Sequence, residues 1–121
     1  MLSFETVNEL TLKVTCSGND VLFTKAGAFI AGDSPGGKNY RFEKVLLGPQ
    51  GSLGQAALGS IIRRVTGENI PLMKVNLGGD SVTYYASNSQ HVFIYQLGFG
   101  EMISVESENI LAFTQDCKYE V

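Results

Sequence analysis

A glycine-rich stretch in the middle of the chain, GPQGSLGQAALGSIIRRVTGENIPL (48–72), comes nearest to a ligand-binding motif. Inside it, GQAALGS (54–60) has the four-residue gap between glycines that phosphate-binding loops use. Those loops need a lysine directly after the second glycine to reach the phosphates, and Ser60 stands there instead. The sequence therefore lacks a nucleotide-binding motif.

Basic side chains are concentrated in the same part of the chain. Residues 34–78 contain six Lys and Arg against two Glu, whereas residues 101–121 contain five acidic residues and one lysine. The formal net charge of −3 argues against general binding to polyanions, so nucleic acid is not an expected partner. An RNA- or nucleotide-binding ring stays an alternative. It would use the candidates for an anion or partner site: Arg41, Lys44, Arg63, Arg64 and Lys74.

Metal binding and nucleophilic catalysis would need groups that the chain hardly has. His91 is the only histidine, which excludes sites built on two or three imidazoles. Cys16 and Cys117 are too few for a zinc site or a disulfide framework, so both are expected to be free thiols. No metal and no cofactor is expected.

Carboxylates are the remaining groups that could carry chemistry. Glu101, Glu106 and Glu108 lie close together in sequence, and paired carboxylates can transfer protons or bind hard cations. At this spacing Glu106 and Glu108 are more typical of a solvated face. No catalytic residue is therefore assigned. A small-ligand binder or enzyme that gathers Glu101, Glu106 or His91 in a pocket stays a second alternative.

The composition predicts one soluble domain, residues 1–121, that associates with itself or with a protein partner. Hydrophobic residues make up 44% of the chain and charged residues 17%, which leaves apolar surface for burial between subunits. We therefore expect a homo-oligomer. The start of the chain lacks a secretory signal pattern, and no apolar run approaches the roughly 20 residues that span a bilayer. A cytoplasmic location without a membrane span is expected.

Alternating apolar and polar residues predict many short strands. LTLKVTC (10–16) alternates regularly, and VLFTKAGAFIAGDS (21–34) predicts two strands around a bend at Ala26–Ala28. YRFEKVLL (40–47) is expected to turn Tyr40, Phe42 and Val45 inward. Further strands are predicted in IPLMKVNL, SVTYYAS, HVFIYQL and EMISVESENILAFTQD. Their aromatic residues, Tyr84, Tyr85, Phe93 and Tyr95, are expected in the core or at a subunit interface.

One short helix is predicted near residues 53–66. Ser52 and Gln55 form a capping-box pattern, and Gly67 is placed to end the helix. Leu58, Ile61, Ile62 and Val65 fall on one face at helical spacing.

Three stretches in this order resemble the mitochondrial biogenesis family named for altered inheritance of mitochondria, a bacterial domain of unknown function. They are the Gly27–Ala31 bend, the glycine-rich stretch Gly51–Glu68, and the late element Leu97–Ala112. The resemblance implies an all-β, double-stranded β-helix with two facing antiparallel sheets, similar to trp RNA-binding attenuation protein. It implies no catalytic residues. The sequence thus predicts a non-catalytic, oligomer-forming β domain that acts as a scaffold or interaction module.

Overall fold

The computed structural model describes residues 1–37, 39–47, 70–105 and 109–117. The described residues form eight β-strands and a short 3-10 turn at Pro35–Gly37, and contain no α-helix. The predicted helix near residues 53–66 lies outside them. The strands are β1 (Leu2–Asn8), β2 (Thr11–Cys16), β3 (Asn19–Lys25), β4 (Phe29–Asp33), β5 (Tyr40–Leu47), β6 (Ile70–Gly78), β7 (Ser81–Tyr85) and β8 (Ala112–Thr114).

The strands form two antiparallel sheets of four strands each. Sheet A has the order β1-β2-β7-β4, and sheet B has the order β5-β6-β3-β8. From β2 to β5, each strand lies in the other sheet from the strand before it. The predicted all-β class with two antiparallel sheets is confirmed.

The core of the sandwich lies between one face of each sheet. In sheet A, alternate residues of β2 point inward because side chains along a strand alternate between its two faces. Leu12, Val14 and Cys16 are buried there, and Leu12 pairs with the fully buried Tyr85 of β7. In sheet B the same core cluster takes in Leu22, Val75 and Leu77. The two sheets therefore face each other across one apolar layer.

Aromatic rings join the two sheets at one end of this layer. The ring of Phe29 in sheet A lies 4.7 Å from that of Phe42 in sheet B, and Tyr40 and Tyr85 each lie 5.9 Å from Phe29. Gly32 makes this packing possible. A Cβ atom at Gly32 would lie 2.6 Å from the ring of Tyr40, closer than unbonded carbon atoms can approach.

Several strand predictions are confirmed, including the bend after β3. Gly27 has a φ of 83°, which glycine adopts at little cost. The register of β5 differs from the prediction. Tyr40 and Phe42 share the core face, but Lys44 shares it too, opposite Met73, while the buried Val45 lies on the outer face opposite Leu72.

The prediction of a strand at HVFIYQL (91–97) is wrong, because these residues form no β-strand in the structure. Residues 101–105 likewise form no strand, and β8 begins only at Ala112. Conversely, the structure adds β1, which pairs with β2 along the edge of sheet A. The described residues include no helix that is long and apolar enough to cross a membrane.

Candidate interaction surfaces

The structure does not bring the basic candidates together on one face. Arg63 and Arg64 lie outside the described residues. Arg41 of β5 and Lys74 of β6 lie on the outer face of sheet B, since their cross-strand partners are Asn76 and Glu43. Lys44 lies on the opposite face of the same sheet, opposite Met73. The three described cations are thus split between two faces.

The charge on the outer face is also partly balanced. Glu43 pairs directly across from Lys74, and its Oε1 accepts a hydrogen bond of 2.7 Å from Nδ2 of Asn76. A carboxylate between two cations weakens the attraction of the surface for an anion. Among the described residues, this face has no concentrated positive field.

A polar hollow of about 410 Å³ lies at the end of sheet B where Arg41 is exposed. Its side chains include amides as well as Asp20, whose Oδ2 lies 3.4 Å from the ammonium group of Met1. Asn39 is already engaged, since its Nδ2 donates to the carbonyl oxygen of Asp80. The hollow offers mixed polar groups and one guanidinium, which do not select a particular ligand class.

The carboxylate site considered from the sequence is not assembled by the described residues. His91 is exposed, and its Nε2 lies 3.4 Å from Oε2 of Glu9. The Glu101 carboxylate accepts a hydrogen bond of 2.5 Å from the backbone N–H of Gly98. Glu106 and Glu108 lie outside the described residues. His91 and Glu101 therefore contact different partners, Glu9 and Gly98.

The two thiols are both free and lie in different surroundings. Cys16 is buried in the core, and its Sγ donates to the carbonyl oxygen of Gly18 at 3.3 Å. Burial raises the pKa of the Cys16 thiol, so the reactive thiolate is disfavoured. Cys117 is partly exposed, with its Sγ 3.5 Å from Oγ1 of Thr114. No cluster of His, Cys, Asp or Glu in the described part of the chain could hold a metal ion.

The most prominent surface feature is an apolar arm, residues 91–105 (HVFIYQLGFGEMISV). Its two limbs are joined by a turn in which the N–H of Glu101 donates to the carbonyl oxygen of Gly98 at 3.0 Å. Phe99 at the tip is fully exposed, and Met102 and Phe93 are 90% and 77% exposed. The exposed large apolar side chains of the arm are Phe93, Ile94, Tyr95, Phe99, Met102, Ile103 and Val105.

Among the described residues, the backbone hydrogen bond from the arm to the sandwich lies near the base of the arm. The N–H of Val92 donates to the carbonyl oxygen of Glu9, in the turn between β1 and β2, at 2.9 Å. Within the described residues, the backbone N–H groups of residues 93–97 and 102–105 donate to no other backbone group. In the part of the chain that the structure describes, these residues therefore present N–H groups without a backbone acceptor together with exposed apolar side chains.

An apolar cleft of about 590 Å³ lies between the arm and the sandwich. The sandwich side includes Phe4, Leu12 and Phe113, and the arm side includes Val92 and Ile103. Cys117 also lines the cleft, whereas Phe99 and Met102 do not.

Residues 75–117, which contain the arm and most of the residues lining the cleft, include no lysine or arginine. The arm itself carries one acidic residue, Glu101, and one histidine, His91. This surface is therefore suited to an apolar, weakly charged partner.

A family model described as mitochondrial biogenesis AIM24 matches residues 4–121. The chain belongs to the mitochondrial biogenesis AIM24 family. The resemblance found in the sequence is thereby confirmed, and the AIM24 family connects the chain with mitochondrial biogenesis. No curated protein and no solved structure matches the chain. The likeness to the fold of trp RNA-binding attenuation protein stays a prediction.

The arm of this AIM24-family chain was partly detectable in the sequence. Phe93 and Tyr95 were predicted in the core or at a subunit interface, and the structure leaves both of them exposed. Tyr85, from the same group, lies in the core. The sequence predictions did not include Phe99, which lies between two glycines in GFG (98–100). A large aromatic residue in an exposed turn is the signal that marks the tip.

Proposed function

We propose that this AIM24-family chain is a non-catalytic β domain that forms homo-oligomers and acts as a scaffold or interaction module. The observation that carries the proposal is the apolar arm, residues 91–105, whose large side chains are exposed in the single chain. Soluble monomers rarely expose contiguous apolar patches of this kind, and such patches usually mark sites of association.

The size of the exposed surface supports association. At roughly 150 to 250 Å² for a large aromatic side chain, Phe93, Tyr95 and Phe99 alone present on the order of 500 Å² when weighted by their exposed fractions, and four exposed aliphatic side chains of the arm add to this area. An interface of standard size buries roughly 800 Å² on each partner. The arm therefore offers a large part of the apolar surface that one side of a stable interface needs.

The proposal includes a double-stranded β-helix and a cytoplasmic location. The passage of successive strands between the two sheets, from β2 to β5, supports a chain that winds around one core.

The cytoplasmic location remains an expectation from the sequence, and cell fractionation with an antibody against the chain tests it. Recovery in a membrane or exported fraction would contradict it.

Light scattering on the purified protein tests the proposed function. We expect a mass that is a multiple of 13.1 kDa at micromolar concentration, because burial of the arm stabilises the assembly. A strict monomer across the micromolar range would contradict the proposal.

The RNA- or nucleotide-binding alternative gains no support from the described residues, since Arg41 and Lys74 lie beside Glu43 and Lys44 lies on the other face. Binding of a short single-stranded RNA at low salt tests it, because electrostatic binding is strongest there. Absence of binding under these conditions would remove the alternative.

A further inference from the structure

We infer that the arms of two copies exchange reciprocally, so that the tip of each arm occupies the apolar cleft at the base of the other. This inference rests on the proposed function and specifies the interface. The partner is a second copy of the chain, related to the first by a two-fold axis.

Both complementary parts of such an interface are present on one chain. The tip carries Phe99 and Met102, which are almost fully exposed, and the cleft of about 590 Å³ is lined mainly by apolar side chains. Phe99 and Met102 do not line the cleft of their own chain. A two-fold axis buries both tips and fills both clefts at once, because each copy then inserts its own tip and receives the tip of the other.

The geometry of an antiparallel pair brings these two parts together. Residues 91–98 extended as a strand would span about 26 Å at about 3.3 Å per residue. Two identical limbs side by side in opposite directions place the tip of one at the base of the other. The cleft begins at that base and runs along both limbs to Leu97 and Ile103, between the arm and residues of β1, β2 and β8.

The backbone of the arm favours this pairing. The N–H groups of residues 93–97 have no backbone acceptor among the described residues. The segment VFIYQL is rich in β-branched and aromatic residues, which are enriched in strands. An unpaired segment of this composition is a ready template for a ladder with another chain. The strand predicted for residues 91–97 would thus form between two copies.

The charge of the region favours a second copy over an anionic membrane. Helices and loops that dock on anionic lipid carry Lys or Arg beside their apolar residues. Residues 75–117 contain neither. Two such surfaces from two copies meet with little like-charge repulsion, because the arm carries one carboxylate and one histidine.

The experiment uses Cys117, which lines the cleft, as a reporter in the full chain. Met102→Cys places a thiol beside Phe99 at the tip and leaves Phe99 in place. A short bis-maleimide is added, and the products are separated under denaturing conditions. We expect a covalent dimer as the main product, without longer chains, because two reciprocal links close the pair. Cys16 is buried and is expected to stay unmodified in the folded protein.

The matched controls are Met102→Cys combined with Cys117→Ser, and Ser3→Cys on the outer face of sheet A. Both should lose most of the covalent dimer. A covalent dimer that persists without Cys117, or a ladder of longer products, would overturn the reciprocal arrangement. So would the absence of a covalent dimer under conditions where light scattering shows an oligomer; that outcome would leave the proposed function intact. A monomer in light scattering would overturn both.

Hydrogen exchange on the unmodified chain gives a readout that needs no substitution. We expect the amides of residues 93–97 to become protected as the protein concentration rises. Unchanged rapid exchange at concentrations where the protein is an oligomer would overturn the inference. The same holds for arm protection that appears only with vesicles of phosphatidylcholine, because the occupant would then be lipid.

Discussion

Tyr85 shows how a single residue is fixed by its surroundings. Its side chain is fully buried between the sheets, and its hydroxyl donates to Oγ1 of Thr83 at 3.0 Å. Burial raises the pKa of Tyr85 to about 12, although the hydrogen bond to Thr83 acts in the opposite direction. Tyr84, the neighbouring residue, points to the outer face, opposite Lys13. The sequence alone does not indicate which of the two tyrosines is buried in the core.

The raised pKa of Tyr85 predicts a loss of stability at alkaline pH. In the unfolded chain the phenol ionises near pH 10, so ionisation favours unfolding as the pH rises from about 10 to about 12. Below about pH 10 this contribution is fully present. We expect Tyr85→Phe to cost about 1 kcal/mol at neutral pH and to remove part of the alkaline decline.

Urea denaturation of both proteins at about pH 9 and about pH 11 measures this difference. Tyr84→Phe is the matched control, and the decline should persist in that variant. If Tyr85→Phe declined as steeply as the unsubstituted protein, burial of the Tyr85 phenol would not be the cause.

Gly32 is a second position where a single added atom would disturb the packing. An added Cβ would meet the ring of Tyr40 at 2.6 Å, so Gly32→Ala forces a shift of Tyr40 or of β4. We expect this variant to lower the free energy of unfolding by about 1 to 3 kcal/mol. Gly78→Ala is the control, because its added Cβ would meet only Oδ1 of Asn19 at 3.8 Å. Equal melting temperatures of the two variants would contradict the close approach of Tyr40 to Gly32.

Among the elements, β5 shows how register assigns side chains to faces. Lys44 pairs with Met73 and Val45 pairs with Leu72, so the polar residue is on the core-facing side and the buried apolar residue is on the outer side. Composition favours the opposite assignment. Hydrophobicity therefore identified Val45 as buried but not the face that it occupies.

Substitutions in β5 test the burial of Val45 and the exposure of Lys44. We expect Val45→Ala to lower the free energy of unfolding by about 1 to 3 kcal/mol, because the residue is 1% exposed. Lys44→Ala, at an exposed position of an edge strand, should change it by less than about 0.5 kcal/mol. Chemical denaturation of both variants makes the comparison. A larger loss for Lys44→Ala than for Val45→Ala would contradict the burial of Val45 and the exposure of Lys44.

The sequence predicted β2, β3, β4, β5, β6 and β7 because alternation and turn residues are local signals. It failed for HVFIYQL (91–97) because alternation reports which side chains suit a strand, not whether a neighbouring strand is present. It also missed β1, whose exposed residues outnumber its partly buried ones and leave little periodic signal. Strand partners depend on the fold of the whole chain, so they cannot be derived from a local pattern.

The predictions about the surface also depended on how the strands pair, which a local pattern does not show. The positions of Arg41, Lys44 and Lys74 in sequence suggested one basic patch, but cross-strand pairing places Lys44 on the other face from Arg41 and Lys74 and places Glu43 opposite Lys74. The apolar composition predicted association, and the structure locates exposed apolar surface in residues 91–105. The sequence could indicate that such surface exists, but only the fold shows which residues remain outside the core.

For the molecule as a whole, the central claim is that an AIM24-family chain of this size assembles through its arm. The core side chains of this 13.1 kDa chain are buried between its sheets, whereas its arm leaves large apolar side chains in water. Assembly that buries the arm would remove this exposure without altering the core.

Light scattering on three purified proteins over the micromolar range tests this claim most directly. The unsubstituted chain and Val7→Ser/Ile30→Ser, which removes two exposed apolar side chains outside the arm, should both be oligomers. Phe99→Ser/Met102→Ser should be a folded monomer, since both residues are almost fully exposed and contribute little to the fold of the single chain. An oligomer of unchanged mass in Phe99→Ser/Met102→Ser, or a monomer in the unsubstituted chain, would contradict assembly through the arm.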